Sequence, residues 1–371
     1  MIKLPRNIHL WISAYIKYRL KQSLKFNPKK HKHVVFCFAD HYEPRHGKVD
    51  ESTEHKRVDY WLQNYPGMAT PFRDSDGNHP KHTFFFPEEE YRPEHINKLS
   101  SLCKQGFGEV EVHLHHDNDT PEGLRSKLTN FTNILHNDHG MLGIDKRDNR
   151  VKYAFIHGNW ALNNSRPDGH WCGVDNEHDI LLETGCYADL TMPSAPSDTQ
   201  TSKINSIYYS SPYNGTAKCH DTGEDVHVGM NESDNLLMIQ GPLMLNWGKL
   251  SHPHLPPKIE NGEFDYTNTP TAERIKLWLK SAIHVTGKGD WIYIKIHSHG
   301  ADELNSKTIL GSASTTMHKI LHDLCMNTNT SLHYASSREL YNIIMAAKEG
   351  MQGNPNDYRD HIIAPPACLD K

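Results

Sequence analysis

The chain has 371 residues, a formal net charge of −5 and 36% hydrophobic side chains, with a mean hydropathy of −0.70 and an isoelectric point near 6.6. That length suits one large domain or two small ones, and 16 tyrosines and 7 tryptophans give a polar chain enough core volume to be globular rather than disordered. The acidic balance argues against nucleic acid as the main partner, and no apolar run reaches the length of a transmembrane helix.

The first forty residues stand apart. No acidic residue precedes Asp40, whereas Lys3, Arg6, Lys17, Arg19, Lys21, Lys25, Lys29, Lys30 and Lys32 are basic. Ile8, Ile12, Ile16, Leu20 and Leu24 recur every fourth position beside Trp11 and Tyr15, which predicts an amphipathic helix within residues 1–30. Two uses compete: a helix closing one end of the domain, or a peripheral anchor in which residues 6–25 lie on anionic lipid at the inner membrane face. The N-terminus lacks the uninterrupted apolar core and small-residue cleavage site of a secretory signal. The 7 cysteines are scattered without a CxxC pair, so a reducing, cytoplasmic location is expected.

From residue 31 to about 350 the chain reads as strands alternating with helices. Strands are expected at 33–40, 82–87, 109–115, 151–160, 185–192 and 291–299. Helices are expected at 51–65, 93–105, 121–136, 177–184, 271–286, 315–325 and 337–349. Such alternation implies parallel pairing, in an α/β barrel or an open doubly wound sheet. Residues 195–265, rich in Ser, Asn, Gly and Pro, break the rhythm and read as an insertion lying over the domain. Residues 351–371 form a C-terminal tail. No GxGxxG or GxxxxGK[ST] loop is present to cradle phosphate.

Polar residues fall at the strand ends: Asp40-His41-Tyr42-Glu43, His113-Leu114-His115-His116-Asp117, His157-Gly158-Asn159-Trp160, Tyr187-Ala188-Asp189 and His297-Ser298-His299. With 28 histidines in the chain, one such cluster carries little weight. In parallel α/β folds, however, the carboxyl ends of the strands share one face, and these clusters would converge there. A carboxylate, two or more imidazoles and an open position describe a catalytic divalent-metal site, with zinc the default. Asp40 is the expected carboxylate and His113 the first nitrogen, with His115 or Asp117 as third ligand and His116 a weaker candidate. Strand alternation puts Glu109, Glu111 and His113 on one face and Val110, Val112 and Leu114 on the other. The glutamates would then line the polar interior and orient His113.

These blocks resemble the polysaccharide deacetylase family, the NodB-homology or family 4 carbohydrate esterases. Phe38-Ala39-Asp40 is similar to the family's Phe-Asp-Asp strand end, Glu109-Val110-Glu111-Val112-His113 to its Glu-Val-Gly-Asn-His motif, and Ile294-Lys295-Ile296-His297 to a later hydrophobic-x-His strand. "HGNWALNNSRPDGHWCG" and "GCYADLTMPSAP" look like a divergent bacterial subgroup found among surface-polysaccharide genes. The resemblance implies a deformed (β/α)7 barrel and a metal-dependent hydrolase removing N- or O-acetyl groups from a polysaccharide or glycolipid precursor. It implies a metal that polarises the acetyl carbonyl and activates water, and His297 or His299 as the acid for the leaving group. The family's general base falls at Ala39, whose methyl cannot take a proton, leaving His41, Glu43 or His116 for that role. Asp117 stands where the family has its second ligand histidine. Asn159, Trp160 and Tyr187 are the expected substrate contacts, with Trp171 as a further stacking surface. Two other classes remain open. One is a metal-independent glycoside hydrolase pairing Glu43 with Asp117 or Asp189; the other is a catalytically degenerate glycan-binding barrel, for which Ala39 argues.

Overall fold

The computed structural model describes residues 5–23, 31–248 and 257–369. Lys3, Leu24, Lys25, Lys29 and Lys30 of the basic N-terminal stretch lie outside the described residues, as do residues 249–256 of the 195–265 segment and 370–371 of the tail. In chain order the elements are α1 (Ile12–Ser23), β1 (Lys32–His41), α2 (Glu51–Ala69), β2 (His82–Pro87), α3 (Pro93–Lys104), β3 (Gly108–Leu114), α4 (Pro121–Asn133), β4 (Tyr153–His157), α5 (Glu177–Thr184) and β5 (Cys186–Asp189). They continue with β6 (Ile207–Ser210), β7 (Gly223–Asp225), β8 (Leu237–Ile239), β9 (Met244–Asn246), β10 (Lys258–Glu260), α6 (Ala272–Ser281), β11 (Trp291–Ser298), α7 (Glu303–Ile309), α8 (Ser312–Met326), β12 (Thr330–Ala335) and α9 (Ser337–Lys348).

Local chemistry sets the helix starts. Asp50, Thr120 and Thr271 cap α2, α4 and α6 by accepting from the backbone N–H three residues on, and Ser336 with Glu339 forms a reciprocal capping box at α9. Helix α2 runs past Pro66, where the sequence suggests a stop. The missing N–H costs one bond, but the Thr70 N–H closes the last turn on the Pro66 carbonyl at 2.9 Å, and Met68 and Ala69 are buried.

Strands β11, β1, β2, β3, β4 and β5 pair in that order, all parallel. Beyond β5 the sheet continues through β8 to β6 and β7, with β6 antiparallel to both neighbours. Within the 195–265 segment, β6, β7 and β8 thus extend the central sheet at its edge instead of lying over it, whereas β9 and β10 pair antiparallel as a separate two-stranded sheet. Strand β12 occupies the side of β1 along Lys32–Cys37, and β2 takes over at Phe38–His41. The result is a mixed α/β fold with a mostly parallel sheet that does not close into a ring. On the open side Lys295 of β11 donates from Nζ to the carbonyls of Leu190 and Met192, at 2.6 and 2.8 Å, behind β5.

Alternation divides the core in two. Phe36 and Phe38, Phe84 and Phe86, and Val110, Val112 and Leu114 face the outer helices, packing with Trp61, Leu99, Leu128, Trp278 and Leu321. Val35, Cys37 and Ala39, with Ile156, Tyr187, Ile239 and Tyr293, face the other way and pack on Leu340, Ile343, Ile344 and Ala347 of α9. Strands from both ends of the sheet meet this one helix, so the sheet curls around it. All 12 residues of α9 are buried.

At the N-terminus, Trp11 and Tyr15 pack against Ala195, Ile204, Leu243, Met244 and Leu245. The Leu245 N–H donates to the Tyr15 hydroxyl at 3.3 Å. Ile16 and Leu20, from the expected apolar stripe, stay exposed. The closing-helix reading has a packed interface behind it. Among the described residues no helix is long and apolar enough to cross a membrane.

Candidate metal centre at the strand ends

Three strand ends meet at Glu43. The chain leaves β1 through Tyr42 and Glu43, and the Glu43 carboxylate is buried. Its Oε1 lies 3.1 Å from His113 Nε2, 3.4 Å from His115 Nε2, 3.5 Å from His299 Nδ1 and 4.0 Å from His41 Nδ1. Its Oε2 lies 3.1 Å from His46 Nδ1. The rings interlock: His41 is 4.9 Å from His113 and 4.6 Å from His299 between centroids, with the Trp160 ring 6.0 Å from His41 and 5.8 Å from His299.

Alternation explains who is present. Ala39 and His41 face the interior of β1, as Glu109, Glu111 and His113 do on β3 and Lys295 and His297 on β11; His115 and His299 carry those faces past the strand ends. Asp40 points the opposite way, toward the outer helices with Phe38. It is not among the ligand-competent groups around Glu43. Its Oδ1 accepts from Ser298 Oγ and from the Gly300 N–H, and its Oδ2 lies 2.9 Å from His82 Nε2. A Cβ on Gly300 would lie 2.2 Å from Asp40 Oδ2 and 2.7 Å from the Trp61 ring, so only glycine fits this turn. Asp40 thus clamps the His299 turn rather than facing a metal.

Two of the imidazoles are held as metal ligands usually are. His113 Nδ1 donates to the Ile156 carbonyl at 2.7 Å, and His115 Nδ1 lies 2.6 Å from Glu89 Oε1. Each contact fixes the ring and turns Nε2 toward Glu43. The expected orienters of His113 are employed elsewhere. Glu109 accepts from Arg338 Nε and Nη2 at 2.9 Å each, and Glu111 accepts from the Tyr187 hydroxyl and the Ala154 N–H at 2.6 Å each.

The electrostatics are those of crowded donors. Burial alone would raise the Glu43 carboxyl, but the charge on His299 and hydrogen bonds from His113, His115 and His299 hold it well below the usual range. Burial works against charge on His115, yet Glu43 and Glu89 outweigh it and lift the ring to about 10. His41 is pushed well below its ordinary value by burial and then by the His299 and His113 rings. Its Nδ1 has no hydrogen-bond partner. Ring nitrogens gathered around a buried carboxylate, with the His41 nitrogen left over, are a donor set that a divalent cation can take in place of these protons. A tetrahedral site with bonds of ~2.0–2.1 Å has edges of about 3.3 Å, and the His113 and His115 separations from Glu43 match that.

The other expected site residues are distributed as follows. His297 is buried with Nδ1 unpartnered and its ring 6.3 Å from His41, but it is His299 that meets Glu43. Asp117 stands apart from the grouping, its Oδ1 accepting from the Trp171 and Asn118 N–H groups at 2.6 and 3.1 Å. Asp189 is occupied by the Thr191 N–H and hydroxyl at 2.9 and 2.7 Å. Tyr187 packs against Tyr341 of α9, 4.6 Å between centroids with the rings tilted by 43°, inside the inner core instead of on a substrate surface. Asn159 and Trp160 both have φ of 55°, and the loop they form sets Trp160 against the histidines.

Sequence reading missed Glu89 and His46. The run Glu88-Glu89-Glu90 directly after β2 was the available signal, since it too sits at a carboxyl end. His116 and His157 stand among the expected strand-end residues, but the second grouping that they form with Cys172 and Glu177, buried throughout, has no counterpart in the sequence reading. The two groupings abut through Gly158, where a Cβ would lie 2.3 Å from the His115 ring. At Glu43 two overlapping triads, His41–Glu43–His299 and Glu43–His113–His115, each bring their candidate ligand atoms within 4.8 Å of one another, as do all four residues of the second grouping. No protein-family model and no curated protein matches this sequence.

Proposed function

We propose that the chain is a metal-dependent hydrolase that removes acetyl groups from a carbohydrate or glycolipid. The observation that carries the metal part is Glu43 Oε1 within 3.5 Å of His113, His115 and His299 at the carboxyl ends of parallel strands, the face where α/β folds do chemistry. The acetyl and sugar part rests on the motif resemblance and on Trp160 beside the histidines.

Glu43, His113 and His115 would hold the ion, with Ile156 and Glu89 fixing the two rings. A divalent cation there supplies Lewis acidity, which polarises a carbonyl and makes water acidic near neutral pH. His41, buried with a free Nδ1, takes the proton from water, the role Ala39 cannot perform. His299 is the more exposed of the pair and stands next to Trp160, placed to return a proton to the departing amine or alkoxide. Trp160 offers a wall for a sugar ring.

The test is acetate release from N- and O-acetylated sugars by chelated protein and by protein reloaded with zinc, cobalt or nickel. Release should require metal, vanish in His113→Ala, and fall by about 10²–10⁴ in His41→Gln with metal content retained. Metal binding without turnover on any acetylated sugar would favour the glycan-binding reading instead.

A further inference from the structure

We propose that His116, His157, Cys172 and Glu177 form a second, closed metal site that takes zinc as a structural ion. All four side chains are buried, and they come from the ends of β3 and β4, the loop between β4 and α5, and the first residue of α5. Glu177 Oε1 lies 3.2 Å from His116 Nε2 and 3.7 Å from His157 Nε2, and its Oε2 is 3.5 Å from Cys172 Sγ. The two histidine separations from Oε1 are close to the edges of a tetrahedron with ~2.0–2.1 Å bonds to nitrogen and oxygen, and one ligand atom from each of the four residues lies within 4.8 Å of the others.

Hydrogen-bond accounting makes the case for a cation. His116 Nδ1 lies 3.1 Å from Asp119 Oδ2, which is itself held by Lys127 at 2.8 Å. His157 Nδ1 is bonded to the Gly158 carbonyl. With both Nδ1 atoms donating, both Nε2 lone pairs point at a carboxylate that is also lone pair only. A proton on His116 would relieve one of them. His157 Nε2 stays buried without any hydrogen-bond partner, and 3.7 Å to Glu177 is too long for one. One zinc ion answers all four groups. The Cys172 thiol gives up its proton to solvent as it binds, and the charges of Cys172 and Glu177 balance the ion. The remaining acceptor sites are already served: the Asn163 N–H donates to Glu177 Oε2 and the Asn164 N–H to Cys172 Sγ at 3.3 Å. Carboxylate and carbonyl contacts on the far nitrogens are the usual support of zinc-bound histidines. Four protein ligands leave no open position, so the site is structural rather than catalytic.

Its place in the fold says what it does. Residues 158–176 cross the metal face, with Asn159, Trp160, Asn163, Asn164 and Trp171 all at positive φ, a costly backbone for side chains with a Cβ. Zinc would bind His157 immediately before this loop, Cys172 within it and Glu177 just after, fixing Trp160 against His41 and His299.

The site does not depend on the Glu43 centre taking a metal, and sulfur separates the two, because only this one contains a cysteine. Zinc-loaded full-length protein is measured by X-ray absorption, and cobalt-loaded protein by its thiolate-to-metal charge-transfer band. The expected result is a sulfur neighbour at ~2.3 Å and a cobalt band that persists in His113→Ala but is lost in Cys172→Ser, together with a lower melting temperature after chelation. Zinc with no sulfur neighbour in the parent, or metal content and cobalt band unchanged by Cys172→Ser, overturns the assignment. If Cys172→Ser does not fold, the sulfur neighbour in the parent and in His113→Ala decides alone.

Discussion

Glu89 shows how one residue outside the histidine cluster can govern it. Its carboxylate holds His115 Nδ1 at 2.6 Å and so aims Nε2 at Glu43. Such partners are worth about 10–100-fold in metal affinity, and Glu89→Gln should weaken binding by that factor in a chelator competition while leaving the fold unchanged. An unaltered affinity would remove Glu89 from the centre. Glu111 belongs to the same face but to a different account. Burial, against the Tyr187 and Ala154 hydrogen bonds, pushes its carboxyl up to about 8. The folded chain therefore holds this proton more tightly than the unfolded one. The contribution is fully present below the unfolded value near 4.5 and is lost as pH rises toward 8, at about 1.4 kcal/mol per pH unit at most. Glu111→Gln, which mimics the protonated form, should gain stability relative to the parent between pH 5 and 8 in urea titrations. A difference that does not move with pH would contradict the assignment. At this scale the sequence was half legible. His113, His115, His41, Glu43 and His299 are all legible at their strand ends, whereas Asp40, the expected carboxylate, is turned outward by the same alternation on β1 that places His113 inward on β3. Cys172 has no CxxC partner, and a ligand set spread over four separate elements leaves no local spacing to detect.

At the scale of elements, α9 organises the fold. It is amphipathic enough to be expected at 337–349 and is found at Ser337–Lys348, yet nothing in its pattern announced that the sheet wraps around it. A helix buried on every side still carries Arg338, Glu339 and Asn342, because each has partners: Arg338 takes Glu109, and Asn342 bonds the backbone of Arg359, Ile362 and Ile363. Ile344 is fully buried between the strands. Ile344→Ala should cost about 2–5 kcal/mol in equilibrium unfolding; a loss below about 1 kcal/mol would mean the inner core is not packed as described. The parallel strands were legible because burial on both faces makes continuous apolar runs such as His82–Pro87. Residues 236–247, which hold β8 and β9, show strand character in the sequence but no partner, while β6, β7, β10 and β12, 3 to 6 residues long and stabilised by neighbours distant in sequence, are not legible.

For the whole molecule, the curled parallel sheet brings residues from positions 41 to 299 to one face, and this convergence turns scattered histidines into a centre. The Glu43 grouping is lined by partly exposed His115 and His299, whereas the Cys172 grouping is closed, an arrangement that assigns chemistry to the first and scaffolding to the second. The measurement that tests this most directly is metal content by plasma mass spectrometry on zinc-reconstituted parent, His113→Ala and Glu43→Ala. The account predicts that each variant holds about one equivalent less than the parent while remaining folded by circular dichroism. Variants that retain the parent's metal, or a parent that takes none after reconstitution, would contradict it.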